Sequence, residues 1–162
     1  MDTEKIRQSY APERIRLLLI GESPPVSGEF FYVKSNMTTY TSRAFKRAHG
    51  ITFKDNAEFL KYFMNCGCFL DDLCHKPVDK LPNNEREKEL KRCIIPLSER
   101  IRKFNPPVIA IVLKKIETYV REAINKSGCT PEIYVLPFPG NGWQNKYFAG
   151  LSEIILKHLP KI

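Results

Sequence analysis

Nothing in the 162-residue chain approaches the ~20 consecutive apolar residues that a membrane span requires. Residues 1–10 are polar and charged, without the apolar core of a signal peptide, so a cytoplasmic protein with no membrane association is expected. Cysteine occurs five times, an odd number, and no Cys-x-x-Cys pair is present. A disulfide framework and a zinc finger are therefore not expected. Cys66, Cys68 and Cys74 read instead as small apolar side chains around a buried strand, because free cysteine is among the most buried residue types. Neither Gly-x-Gly-x-x-Gly nor a P-loop occurs, which removes the usual phosphate cradles of nucleotide enzymes. Internal repeats and low-complexity linkers are lacking too, and residues 1–162 are read as one domain, expected to be a monomer.

What the chain does have is positive charge. Its formal net charge of +8 favours a polyanionic partner, nucleic acid first and an anionic membrane surface second. Charge speaks to association rather than fold, so the apolar pattern has to supply the architecture. Leu17 to Ile20 form a continuous apolar run with no polar alternation, as in a parallel strand covered on both faces. Further strands are expected at residues 67–73, 108–113 and 132–136. Helical spacing marks 3–10, 38–49 (stopped by Gly50), 55–65, 114–127 (closed by Gly128) and a last helix carrying Trp143, Tyr147, Leu151, Ile154 and Ile155 up to Pro160. One long helix is expected to run from a capping box at Asn84 and Glu87 to about Phe104, with a solvated basic face that includes Arg86. Strands alternating with helices argue an α/β fold, a three-layer α/β/α sandwich around a four-stranded parallel sheet.

In open sheets of this kind ligands bind beyond the carboxyl ends of the strands. The first strand exits through Gly21, and Pro24 and Pro25 keep the next residues from forming a helix, so the loop is stiff. Glu22, Ser23, Phe30 and Phe31 sit on that loop and make the default site. One of the two phenylalanines is expected to point into the core. Asp71 and Asp72 fall at the end of the second strand, and Pro139, Gly140, Asn141 and Gly142 lie in a second organised loop after the fourth. Trp143 is expected to anchor the last helix. His49, His75 and His158 lie outside both loops.

The succession Gly21-Glu22-Ser23-Pro24, Phe69-Leu70-Asp71-Asp72-Leu73, Pro106-Pro107-Val108-Ile109 and Pro137-Phe138-Pro139-Gly140-Asn141-Gly142 resembles the uracil-DNA glycosylase superfamily, in order and spacing, over nearly the whole chain. The resemblance implies a divergent member that flips a damaged base out of DNA and hydrolyses its N-glycosidic bond. It implies Glu22 as the carboxylate that orients the attacking water and Phe31 or Phe30 as the stacking platform, worth ~1–3 kcal/mol per stacked base. Asp72 would read the base edge, Gly21 and Ser23 would complete the base-binding loop, and Pro139, Gly140 and Gly142 would grip the DNA backbone.

The chain departs from that pattern at two places. The last loop has no histidine, which leaves Asn141 or the backbone N–H groups of Gly140 to Gly142 to donate to the leaving base, and a neutral donor stabilises an oxyanion less than a charged one. An ionised Asp72 accepts hydrogen bonds and cannot donate to uracil O4, so it suits an amino-bearing base. No cofactor, metal or iron–sulfur cluster is implied. The alternatives are a DNA-binding module of the same fold without turnover and a nucleotide- or nucleoside-processing enzyme.

Overall fold

The computed structural model describes residues 1–162 and places every strand where continuous apolar runs put them. Strands β1 (Leu17–Gly21), β2 (Cys68–Asp72), β3 (Val108–Val112) and β4 (Glu132–Leu136) form one sheet in the order β2-β1-β3-β4. All three pairings are parallel, with Leu19 opposite Leu70 and Ala110, and Ala110 opposite Tyr134. Every residue of the first three strands is buried, the expected consequence of helices on both faces. At the β4 edge only Leu136 is buried, and Glu132 is exposed.

Helices α1 (Thr3–Ser9), α2 (Asn36–His49), α3 (Asn56–Asn65), α4 (Asn83–Arg92), α5 (Ile94–Phe104), α6 (Glu117–Ser127) and α7 (Gln144–His158) complete the chain, with one 3₁₀ turn at Lys114–Ile116. α2 packs on α7 and α5 on α6. Right-handed crossovers assign these two pairs to opposite faces, because the chain moves outward from β1 to β2 and then reverses past β1 to β3. Side chains set the helix starts: Ser35 Oγ accepts from the Thr38 N–H at 3.1 Å and Asp55 Oδ1 from the Glu58 N–H at 2.9 Å. Gly50 and Gly128 close α2 and α6 at φ 65° and 77°.

The long helix expected from Asn84 to Phe104 is two helices. Proline at 96 lacks an N–H and its ring clashes with the carbonyl four residues earlier, so the chain restarts at Cys93 instead of continuing. The capping box does not form either: α4 begins after Pro82 with no side-chain cap, and Asn84 is already inside the helix. None of the helices is long and apolar enough to cross a membrane.

Candidate functional site

Reversal of the strand order puts a crevice between the carboxyl ends of β1 and β3, the switch point where ligands bind in open α/β sheets. A cleft of about 350 Å³ occupies it. Gly21, Glu22 and Ser23 line it from the end of β1, Leu70 and Asp72 from β2, Val112 and Leu113 from β3, and Phe138 from the loop after β4. Phe30 and Phe31 line it as well, so the residues assigned to water positioning, stacking and edge reading do share one cavity.

Each is held differently. A Cβ added to Gly21 would lie 2.7 Å from Asp72 Oδ1, so glycine here makes room for that carboxylate. The Glu22 carbonyl accepts from the Cys74 N–H at 2.9 Å, which ties the two strand-end loops together. Its carboxylate is gripped from α4 by Arg86, whose Nε donates to Oε2 at 2.8 Å while Nη2 donates to Oε1. Arg86 is therefore not part of a solvated basic face. Ser23 Oγ accepts from the Val78 N–H at 3.2 Å. Both phenylalanines are buried, at 2% and 4% exposure, against the expectation that only one would turn inward. Phe31 packs edge-on to Tyr32 and Phe59, and the Arg7 guanidinium lies 5.2 Å from the centre of the Phe30 ring.

Behind the cleft is a buried ionic network that the sequence does not advertise. Arg7 of α1 has no exposed surface; its Nη2 donates to Asp72 Oδ2 and its Nη1 to the Leu70 carbonyl, both at 2.9 Å. Asp71 Oδ1 lies 3.9 Å from Nη1 of the same guanidinium, and the carboxylate also accepts from Arg100 Nε at 2.7 Å and pairs with His75 Nε2 at 2.8 Å. Burial alone would push the Asp71 carboxyl up, but the His75 hydrogen bond and the charges of Arg100 and Arg7 outweigh it and hold the group at about 2. For Asp72 burial prevails over Arg7 and the carboxyl is raised, while the surrounding carboxylates raise Arg7 against its own burial. The pair is an ion pair in which Arg7 fixes Oδ2 and leaves Oδ1 with no hydrogen bond from the protein.

Asp71 sets an acid limit on stability. A carboxyl held at about 2 in the fold and near 3.8 when free stabilises the protein above pH 4, and that contribution, roughly 2 kcal/mol, is lost as pH falls from 4 to 2. Denaturation midpoints measured across that range should drop steeply in the parent and flatten in Asp71→Asn. An unchanged slope would place the acid sensitivity elsewhere.

The last loop is placed otherwise than its proposed role requires. Asn141, with φ 52°, and Gly140 line a neighbouring open groove of about 750 Å³ instead of the cleft, and Pro139 and Gly142 line neither. Lys114, Lys115 and Lys146 share that groove, and Phe138 and Leu113 border both cavities. Trp143 does not anchor α7 by burial: it is half-exposed at the start of the helix, with Lys146 Nζ 4.9 Å from its ring. Leu113 carries φ 116°, a conformation that costs a branched side chain on the order of 1–3 kcal/mol and marks the cleft wall as strained.

Cys74 and Cys93 form a disulfide between the loop after β2 and the α4–α5 junction, whereas Cys66 and Cys68 are free and buried as expected. α4 buries only Leu90, so its seat rests largely on this bond and on Arg86. Reduction should cost about 2–4 kcal/mol of stability, read as a lower urea midpoint. Equal midpoints with and without reductant would show that the bond contributes nothing. No group of three or more His, Cys, Asp or Glu side chains is arranged to hold a metal ion.

A comparison with protein-family models finds no match, and no curated protein is significantly similar to the chain. The fold is an α/β fold with a four-stranded, all-parallel sheet flanked by helices. Among the site residues that sequence reasoning missed are Arg7, Arg86, Leu113, Glu29, Asp79 and Asn36. Only Glu29, on the same loop as Phe30 and Phe31, carried a positional signal.

Proposed function

We propose that this protein is an N-glycosidic hydrolase that acts on a damaged base flipped out of DNA. The observation that carries the reading is the convergence of Glu22, Asp72, Phe30 and Phe31 on one cleft at the switch point of the sheet. A volume of about 350 Å³ lies within the range of small-ligand pockets and admits one nucleobase. Positive charge spread over the chain, with Lys114, Lys115 and Lys146 beside the cleft, supports a DNA backbone running across this rim. Asn141, Gly140 and the exposed Trp143 then meet the backbone and flanking bases.

Chemically, the electron pair of the C1′–N bond leaves with the base and a water oxygen bonds to C1′. The proton lost by that water passes to a Glu22 carboxylate oxygen. As the bond breaks, positive charge grows on the sugar, and the same carboxylate stabilises it. Arg86 fixes the carboxylate's orientation without touching the substrate. Asp72 Oδ1 accepts a hydrogen bond from the base edge.

The test is a set of oligonucleotides, single- and double-stranded, that carry uracil, hypoxanthine, xanthine or a methylated base, assayed for abasic sites by alkaline cleavage. Strand cleavage at one modified position supports the reading; intact strands throughout overturn it. One observation favours the second reading, a DNA-binding module without turnover: both oxygens of Glu22 are already engaged by Arg86. Under that reading DNA affinity persists in Glu22→Ala and falls steeply with salt while no base is released. A free-nucleotide enzyme is disfavoured by the carboxylates that line the cleft, which repel phosphate.

A further inference from the structure

The cleft has the wrong charge for an anion. Glu22, Glu29, Asp72 and Asp79 line it against a single cation, Arg86, which is spent on Glu22. Arg7, behind the wall, is spent on Asp72. Glu29 and Asp79 pair with no Lys, Arg or His; Asp79 Oδ1 accepts only the Val26 N–H at 3.2 Å. Two carboxylates are thus left without a counter-charge in an otherwise basic protein. The Asp72 side chain is more than nine-tenths buried, and its Oδ1, packed over Gly21, accepts nothing from the protein.

The donors of the cleft tell the same story. A base that departs as an anion needs a proton or a strong hydrogen-bond donor at the leaving atom. No histidine lines the cleft, Asn141 opens on the neighbouring groove, and the only guanidinium present is bidentate on Glu22, which leaves only neutral donors, the Asn36 amide and the Ser23 and Ser35 hydroxyls, and these stabilise an anion less than a charged donor does. A base that is already cationic needs none of this, since it takes the bonding pair and departs neutral. Uncompensated carboxylates attract a cation before the bond breaks and cease to do so afterwards.

Building on the glycosylase reading, we propose that the cleft selects a positively charged, N-alkylated nucleobase, with Glu29 and Asp79 as its specificity-determining residues. Water adds to C1′, its proton goes to Glu22, and the C1′–N electrons neutralise the alkylated ring, which leaves as the free methylated base. The balance requires no general acid. Phe30 and Phe31, both buried, supply only an apolar wall, and Asp72 Oδ1 takes an N–H that the positive charge has made a stronger donor.

The experiment measures single-turnover base release at pH 6.5 from duplexes carrying 7-methylguanine or 3-methyladenine, and from matched duplexes carrying uracil or hypoxanthine. Spontaneous loss without protein is subtracted. The cationic bases should be released at least tenfold faster, and the ratio should fall at least fivefold in the double variant Glu29→Gln/Asp79→Asn, whose two side chains are not in the core. Glu29→Gln alone should lower it in the same direction, which keeps the test alive if the double variant folds poorly. Release of uracil or hypoxanthine at an equal or greater rate overturns the charge selection and leaves the glycosylase reading standing, as does a ratio that both variants leave unchanged. No release from any duplex overturns the charge selection, and the glycosylase reading falls too when the single-stranded and xanthine-bearing oligonucleotides also stay intact.

Discussion

Arg7→Met is expected to destabilise the protein by about 3–5 kcal/mol, because it leaves the Asp72 carboxylate buried without its counter-charge. The guanidinium has no exposed surface and joins α1 to the end of β2 through the Leu70 carbonyl and Asp72, both at 2.9 Å. A loss of that size is a large share of the ~5–15 kcal/mol that stabilises a typical domain. Arg7→Lys keeps the charge but not the planar fork, so it should recover part of the loss. Neutralising the partner as well, in Arg7→Met/Asp72→Asn, should recover more, since the main cost is the orphaned charge rather than the missing attraction. Urea denaturation of the parent and the three variants checks this. A loss below about 1 kcal/mol for Arg7→Met would mean that water reaches Asp72 and that the network is not the clamp described here.

Glu22→Gln is expected to lower base release by a factor of about 10²–10⁴ with little change in fold, the span by which a positioned acid or base accelerates proton transfer. Glutamine keeps the shape and one acceptor for Arg86 but neither takes a proton nor opposes positive charge on the sugar. Some stability is lost with the ion pair, which is partly shielded, at 10% and 19% side-chain exposure for Glu22 and Arg86. Rate and denaturation midpoint separate the two effects. A rate within threefold of the parent, roughly 0.7 kcal/mol of barrier, would remove Glu22 from the chemistry.

The sheet was legible because its information is local. Leu17 to Ile20 and Val108 to Val112 are buried on both faces, and an unbroken apolar run is what such a strand looks like. The strand-end rule then brought Gly21, Glu22, Ser23, Phe30, Phe31 and Asp72 to one cleft. What failed to show in the sequence depends on partners far along the chain. Arg7 meets Asp72 across 65 positions and Arg86 meets Glu22 across 64, and arginines in polar helices read as solvent-facing. Cys74 and Cys93 belong to different elements, and no spacing rule pairs them. Asn141 lies where chain order puts it, but its left-handed backbone turns it toward the groove beside Lys114 and Lys146. Pro96 was a local signal for two helices, outvoted by the apolar face that continues through Leu90, Ile94, Leu97 and Ile101.

The convergent cleft also explains how one small sheet can combine opposite electrostatic demands. On the glycosylase reading proposed above, lysines on the neighbouring rim would attract phosphate while the acidic cleft a few residues away would repel it and take the base, so that charge would sort backbone from base. The disulfide and the Glu22–Arg86 pair hold α4 beside the cleft.

The most direct test of the cleft as a base-binding site is a titration of ¹⁵N-labelled protein with a short duplex that contains a cationic pyrrolidine analogue of an abasic sugar, plus free base. Backbone amide shifts should concentrate at Gly21 to Ser23, Phe30, Phe31, Asp72 and Leu113, with weaker shifts at Asn141 and Trp143. Shifts confined to the opposite, amino ends of the strands, or no shifts at DNA concentrations that saturate the bulk affinity, would contradict it.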